Sequence, residues 1–548
     1  MQIASVTLHN FRSIGSATFN LSNYSLIIGA NNSGKSNIID AIRLFYEKTD
    51  LRYDKSRDFP KFGTDDAESW IDIKFKLSDQ EVITFPDEYV LEGTSLKARK
   101  YFDSTKKGIY AYTSDDTISD RRFLTSKDIQ QGKLGNLIYI PAVSRIEDHT
   151  KLSGPSALRD LINNIIKNVA TSSPSFKDLT DKFEEFSRNL KSETTEDHKS
   201  LSVLEEDISR ELEDWDATFK LDINPIDESN IVKNLISHKV RDPQLNEELY
   251  EEQFGQGFQR HLIYALIKTA AKYEIMSNGS SPNMTLILFE EPEAFLHPTQ
   301  QSSLCEGLRC LAEKEGSQIL VSSHSPIFVS HKTDDIYSII RLCRDCAKTV
   351  VGQIDQETLN MIFEENQEIN SAVEGTKYEA HHEDLLEEME AVKYFLWLDS
   401  ERCGMFFAGQ VLLVEGPTEK AMINYFLNTN QIISPNGGLF VLDCMGKFNI
   451  HRFMNLLSPL NIPHSVLFDS DGGNETHLII NKIIQDSKNN LTYKIRTFPT
   501  NLETFLEIEA CKDKYRKPQH VMLQLRRNEI KKERIDDLIR LINELIRI

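Results

Sequence analysis

Residues 3–8 alternate apolar and polar, the period-two pattern of a half-buried strand, and Tyr24–Ile28 is an apolar run ending at a glycine-rich turn. From Lys35 the pattern becomes helical, with Ile38, Ala41, Ile42 and Phe45 on one face. Residues 70–140 hold the short runs WIDIKFKL, EVITF, GIYAYT and NLIYI, which predict an antiparallel sheet beside the first strand. Between 150 and 245 the texture is helical, charged and Ser-rich: LRDLINNIIKNV is amphipathic, and SVLEEDISRELEDW follows the polar stretch Ser192–Ser200. Charge runs of this kind read as solvated faces. TLILF at 285–289 and QILVSS at 318–323 are continuous enough to be fully buried strands. Residues 364–394 are acidic and helical, a connector, and QVLLVEG at 410 opens a new α/β region with strands near 438–442 and 465–468.

A chain of 548 residues exceeds one core and divides into two or three domains. No apolar stretch reaches the length of a membrane span, and the start MQIASVTLHNFRSI lacks the basic-then-apolar order of a secretory signal. Seven scattered cysteines fit a reducing compartment, so a cytoplasmic location is expected. Cys343 and Cys346 form a lone CxxC, and Cys305 and Cys310 are spaced too widely to complete a zinc site with them. A net charge of −21 argues against a generally basic nucleic-acid binder. Phosphate contact needs only a local basic surface. Lys512–Arg534 offers one, with nine Lys and Arg against three Asp and Glu, although a solvated helix face gives the same pattern.

Gly29-Ala-Asn-Asn-Ser-Gly-Lys-Ser36 fits GxxxxGK[ST] directly after a strand and at a helix start. Its glycines let backbone amides turn toward phosphate oxygens, and the helix N-terminus adds a favourable dipole. Gly29, Asn32, Gly34, Lys35, Ser36 and Asn37 are therefore the expected ATP cradle, with Lys35 reaching the β and γ phosphates and Ser36 on Mg²⁺. Glu290 and Glu291 cap the strand TLILF; one is expected to hold the metal shell and the other, Glu291, to polarise the attacking water. His324, after QILVSS, is expected beside the γ-phosphate.

NFRSI at 10–14, the glycine loop, EEPEAFLHP at 290–298 and SSHSP at 322–326 resemble the ABC-type ATPase heads of the SMC and RecF-like group. Phe254-Gly-Gln-Gly257-Phe-Gln-Arg260, before a helix, resembles a divergent ABC signature, in which Gly257 would face the nucleotide of a second head. The resemblance therefore implies dimerisation. A Q-loop glutamine is sought near Tyr139–Arg145. Only roughly 95 residues separate the two head segments, too few for a long coiled coil, which favours a compact insert.

VLLVEGPTEK sets Glu415 just after a buried strand and Glu419 on the following helix; SVLFDSDGG ends another strand with Asp469 and Asp471. Alternation at the strand end predicts both aspartates on one side. Such carboxylates repel unless a divalent cation neutralises them. The pairing resembles the Toprim fold, in which the glutamate and aspartates organise Mg²⁺ for phosphoryl transfer. Two-metal chemistry would recruit Glu419 and Glu503, with Lys517 stabilising the transition state or leaving group. Gly446-Lys447-Phe448-Asn449 resembles the glycine-lysine turn of such domains, although a Gly-Lys pair after a strand is more often solvated.

The order of parts resembles the OLD (overcoming lysogenization defect) ATPase–Toprim nucleases, a family that includes the Gabija nuclease subunit and retron-associated relatives. The resemblance implies an α/β protein: an ABC/SMC-type ATPase head (1–149 and 246–370) with a helical insert and possible dimerisation module (150–245), a helical connector (371–404) and a C-terminal Toprim domain (405–548). It further implies Mg²⁺ or Mn²⁺ and ATP as cofactors, DNA as substrate, no membrane, and a homodimer or tetramer. A helicase-like protein, or a retron reverse transcriptase with its DNA, would be the accessory partner in phage defence. The expected activity is a nucleotide-gated DNA endonuclease or nickase; the alternative is a RecF-like DNA-binding ATPase whose Toprim domain is a non-cleaving scaffold.

Overall fold

In the computed structural model, the described residues are all except 48–50, 103–105, 143–145, 147–149, 152–157, 159–161, 163–173, 194–199, 216, 222, 224–235, 278–283, 315, 330–332, 373–386, 473–474, 512 and 548. Two compact units emerge, Met1–Ala142 with Gly279–Ile548, and Val143–Asn278. Most of LRDLINNIIKNV, much of Ser192–Ser200, the middle of the acidic connector and part of Tyr139–Arg145 lie outside the described residues.

In the first unit β1 (Gln2–Phe11) and β2 (Ile14–Asn20) form a hairpin, and β3 (Tyr24–Gly29) runs into the glycine loop and the helix Lys35–Phe45. With β4 (Trp70–Lys76), β5 (Val90–Leu91), β6 (Ser95–Tyr101) and β7 (Ile109–Ala111), the first hairpin makes an antiparallel sheet of order β2-β1-β4-β6-β5, with β7 on β6. Val6, Leu8, Ile71, Ile73, Leu96 and Ala98 bury one face in a cluster shared with Ile38, Ile42 and Phe45 of the helix, as the two periodicities require. Two expectations are corrected. EVITF is not a strand: Ser78 and Glu81 form a reciprocal capping box that winds Asp79–Val82 into a helical turn. NLIYI, as β8 (Asn136–Ile140), leaves the antiparallel sheet and pairs in parallel with residues 285–289.

The second unit, described by itself, contains the helices Pro174–Ser192 and Leu201–Glu211, the latter capped by Ser200, whose side chain accepts from Val203 N. A small hairpin of β9 (Val240–Asp242) and β10 (Glu247–Leu249) precedes the helix Gln256–Ser277. Glu251 is buried and accepts from Thr150 Oγ1 at 2.5 Å, with His238 Nε2 at 2.8 Å.

Back in the first unit, β11 (Thr285–Glu290), β12 (Ser317–Ser322), β13 (Ile339–Asp345) and β14 (Lys348–Gln353) join β3 and β8 in a sheet of order β14-β13-β3-β12-β11-β8. Strands β3 and β12 are buried throughout, which explains their unbroken apolar runs. A further sheet, parallel throughout and of order β16-β15-β17-β18, comprises β15 (Gln410–Val414), β16 (Leu439–Asp443), β17 (His464–Asp469) and β18 (Thr492–Phe498). Its strands all point the same way, so their carboxyl ends form one edge, where ligands of open α/β sheets collect. Leu412, Val414, Leu467 and Phe498 pack with Met422, Phe426, Val521, Leu525, Leu538 and Ile542 from the covering helices. Among the described residues no helix is long and apolar enough to cross a membrane.

The β13–β14 hairpin joins the two sheets. Arg341 on β13 is buried, and its guanidinium donates to the carbonyls of Phe406 (2.9 Å), Ala408 (2.9 Å), Leu460 (3.2 Å) and Asn461 (2.8 Å). Gly352 on β14 lies so close to Leu460 that a Cβ would meet its carbonyl carbon at 2.6 Å. The planar five-donor fork of arginine serves these four fixed carbonyls at once, one more than the three donors of a lysine ammonium could. Arg341→Met should therefore lower unfolding stability by about 3 kcal/mol, because it orphans buried carbonyls. Arg341→Lys should recover less than half of that in urea titrations, and an unchanged midpoint for both variants would contradict this role.

Candidate functional site

The glycine loop is shaped by its neighbours. Gly34 caps the helix at φ 109°, and a Cβ there would meet Thr349 Oγ1 at 2.6 Å. Thr349 Oγ1 in turn reaches the Ser33 carbonyl (2.8 Å), and Asn37 Nδ2 donates to Ser13 Oγ (2.7 Å). Lys35 donates to the carbonyls of Gly29 (3.0 Å) and Ala30 (3.1 Å). Burial lowers its pKa to about 8, against the opposing fields of Glu291, Glu293 and Glu290. Gly29, Asn32 and Ser36 belong to the same loop and first helical turn, Asn32 in the left-handed region at φ 63° and Ser36 exposed.

Glu290 and Glu291 face this loop from the end of β11. Glu290 accepts from the Tyr139 hydroxyl at 2.9 Å. Glu291 has φ 44°, a conformation that costs a long side chain on the order of 1–3 kcal/mol and marks a constrained site. His324 Nε2 stands 3.6 Å from Glu291, and its pKa is lowered by burial and by Lys35. Glu293, not singled out from the sequence, accepts from His324 N at 2.6 Å, and burial raises its pKa. Its signal was present as the third acid of EEPE. Gly257 lies inside the first turn of Gln256–Ser277 rather than before a helix, in the second unit, where Phe254 and Phe258 stack at 4.4 Å.

The second group lies at the carboxyl ends of β15 and β17. Glu415 Oε2 accepts from Asp469 N at 3.2 Å, and Glu419 Oε2 caps the following helix by accepting from Gly416 N at 3.1 Å. Asp469 is buried, and Oδ1 accepts from Leu502 N at 3.1 Å. Burial, then the charges of Glu415 and Glu419, push the Asp469 carboxyl up to about 8. Burial pushes Glu419 up to about 7, with Glu415 and Glu503 adding to it. Glu415 is raised for the same first reason, partly offset by Lys447.

Lysines bound the cluster on two sides. Lys517 Nζ pairs with Glu503 at 3.1 Å. Burial opposes its charge, but the Glu503 hydrogen bond and the fields of Glu419, Glu503 and Asp469 prevail and raise its pKa. Lys447 is corrected from a solvated turn residue to a buried one: Nζ reaches the Asp469 carbonyl (2.8 Å), Asp471 Oδ2 (2.7 Å) and Asn481 Oδ1 (3.3 Å). His477 Nδ1 also lies 3.0 Å from Asp471. β17 ends at Asp469, so Asp471 is placed by a turn at φ 48° and by these partners rather than by strand alternation.

Among the described residues no set of three or more His, Cys, Asp and Glu side chains has converged at ligating distance for a metal. The donor chemistry nevertheless fits a divalent cation: Glu415, Glu419 and Asp469 have proton affinities raised first by burial, and the charges of Glu415 and Glu419 raise Asp469 further. A cavity of about 360 Å³ lined by Ser5, Thr7, Asp72, Lys74 and Lys97, among others, shares no residue with either group.

Residues 25–330 match the family described as "AAA domain, putative AbiEii toxin, Type IV TA system", and residues 406–471 match the "Overcoming lysogenization defect protein-like, TOPRIM domain". The chain belongs to the AAA-domain family and carries an OLD-like Toprim domain. The chain is 24% identical over 501 residues to the Old nuclease of Escherichia phage P2, covering 86% of this chain and 77% of that one. It is 22% identical to the endonuclease GajA of Bacillus cereus strain VD045, over 86% of this chain and 75% of that one. Among solved structures, an SMC head bound to the C-winged helix domain of ScpA is similar at 16% identity and a TM-score of 0.37, covering 65% of this chain and 98% of that chain.

The raised carboxyls give a stability signature. Ordinary carboxyls titrate near pH 4, so from there up to about pH 7 at Glu419 and about pH 8 at Asp469 the folded chain holds protons that the unfolded chain has lost. Their contribution to stability must then fall as pH rises through this window. In EDTA, Asp469→Asn should melt progressively higher than wild type from pH 5.5 to 8.5, and Mg²⁺ should shrink the gap by raising the wild-type melting point. A gap independent of pH would contradict the raised Asp469 carboxyl.

Proposed function

We propose that the protein is an ATP-binding, Mg²⁺-dependent DNA endonuclease or nickase of anti-phage defence, active as a homodimer or tetramer, whose cleavage is gated by nucleotide. The observation that carries this reading is the trio Glu415, Glu419 and Asp469 at one sheet edge, with Lys517 directed at them. The names of the relatives, an Old nuclease and GajA endonucleases, support a nuclease reading.

A bound divalent cation supplies Lewis-acid polarisation of a phosphodiester and a more acidic water. Glu415 and Asp469 are the residues to hold it, with Glu419 beside them. Lys517, kept charged and oriented by Glu503, presents a positive charge to the oxygens that gain negative charge in the transition state. Lys447 holds Asp471 and the end of β17 in place from within the domain.

The β13–β14 hairpin supports gating. It contacts the glycine loop, through Thr349 on Ser33 and Arg344 on Asn32, and the Toprim domain, through Arg341 and Gly352. Lys35, Glu290, Glu291 and His324 are the residues to bind and hydrolyse ATP.

Plasmid cleavage in Mg²⁺ is the test. Glu415→Gln and Asp469→Asn should each slow it by about a thousandfold or more, a loss of about 4 kcal/mol of transition-state stabilisation. Lys35→Ala should cut DNA in the absence of nucleotide as wild type does, and should no longer respond to ATP. ATP hydrolysis with no cleavage in Mg²⁺ or Mn²⁺ would instead make the Toprim domain a scaffold.

A further inference from the structure

The helix Lys517–Arg526 begins with the lysine that reaches the acidic cluster, and its solvent face carries a second pattern. Arg516, Gln519, Leu523 and Arg526 are exposed at spacings of three, four and three, which align them along one side of the helix, with exposed Arg527 at its end. Among the described residues neither the Arg516 nor the Arg526 side chain has a hydrogen-bond or ion-pair partner, and Arg527 has only Glu529 at 3.8 Å. The neighbouring cations behave differently: Lys531 and Arg534 are both bound by Glu507. Tyr515, two residues before Lys517, is 90% exposed. A net charge of +6 over Lys512–Arg534 in a chain of −21 is a local reversal of sign.

Unpaired guanidiniums fit a polyanion, and an aromatic ring left in solvent beside them fits a base. The stripe from Arg516 to Arg526 is about 15 Å long at 1.5 Å per residue, the rise of roughly four nucleotides of one strand. We propose that this face is the track that leads a DNA strand to the acidic cluster, with its phosphates on Arg516, Arg526 and Arg527 and a base against Tyr515. The assignment rests on the nuclease reading and adds the path of the substrate to it. Lys531 and Arg534, held by Glu507, are not part of the track.

The test is fluorescence anisotropy of the full-length protein with a labelled 30-base-pair duplex and the matching single strand, in EDTA, across a salt series, alongside plasmid cleavage in Mg²⁺. Arg516→Ala/Arg526→Ala should weaken binding at least about tenfold and reduce the slope of log affinity against log salt by nearly 2, one contact per arginine. Tyr515→Ala should weaken binding about tenfold with the slope unchanged, more for the single strand than for the duplex. Lys531→Ala/Arg534→Ala should change the slope by less than about 0.5. All these positions are on the surface, and unchanged melting points will show that the variants fold. If wild type binds and cleaves DNA but the arginine pair leaves the slope unaltered, or the Lys531/Arg534 pair alters it equally, the track is overturned while the nuclease reading stands. If wild type neither binds nor cleaves DNA, the nuclease reading falls, and the track with it.

Discussion

Burial of carboxylates at the end of a parallel sheet, sharpened by their mutual repulsion, is the constraint around which the Toprim half is organised. Adjacent parallel strands β15 and β17 finish at the same edge, which brings the Glu415 carboxylate to the backbone N–H of Asp469. Burial multiplies the cost, because each carboxylate loses water that would have screened the other. The fold answers with lysines rather than with distance. Lys447 is sunk behind the strand ends and Lys517 approaches from the covering helix, while burial, and then their neighbours' charges, keep the proton affinities of Glu415, Glu419 and Asp469 raised. A site under this strain gains by taking up a divalent cation, whereas a structural surface of acids would have spread them apart.

The ATPase half is built on the same geometry with the opposite sign. There a buried lysine folds onto backbone carbonyls, and the acids Glu290, Glu291 and Glu293 stand across from it at the end of β11. The β13–β14 hairpin shares hydrogen bonds with the glycine loop on one side and with the backbone around Leu460, just before β17, on the other. Few bonds therefore separate the glycine loop from the strand that ends in Asp469.

Much of this was legible from residue order, because the parts that do chemistry are local motifs attached to strands. The glycine loop, the EE pair and the VEG and DSD strand ends need only a strand, a turn and a helix, and each announces itself in periodicity. The failures have physical causes. EVITF has strand propensity, yet a capping box formed by Ser78 and Glu81 prevailed over it. NLIYI is a strand, but pattern cannot say which of two sheets takes it. Lys447 was indistinguishable from a solvated turn lysine because its burial depends on Asp471 and Asn481, 24 and 34 residues further on. Asp471 was assigned by alternation, whereas a positive-φ turn positions it.

Proton-coupled metal binding is the decisive property of the acidic cluster. Calorimetric titration of Mg²⁺ or Mn²⁺ into the metal-free protein at pH 7, repeated in buffers of different ionisation enthalpy, measures the protons expelled as the ion enters. Saturable binding is expected with release of roughly one proton, arising from Asp469 and Glu419 and strongly reduced in Asp469→Asn. Binding without proton release, or equal affinity after both Glu415 and Asp469 are neutralised, would contradict it.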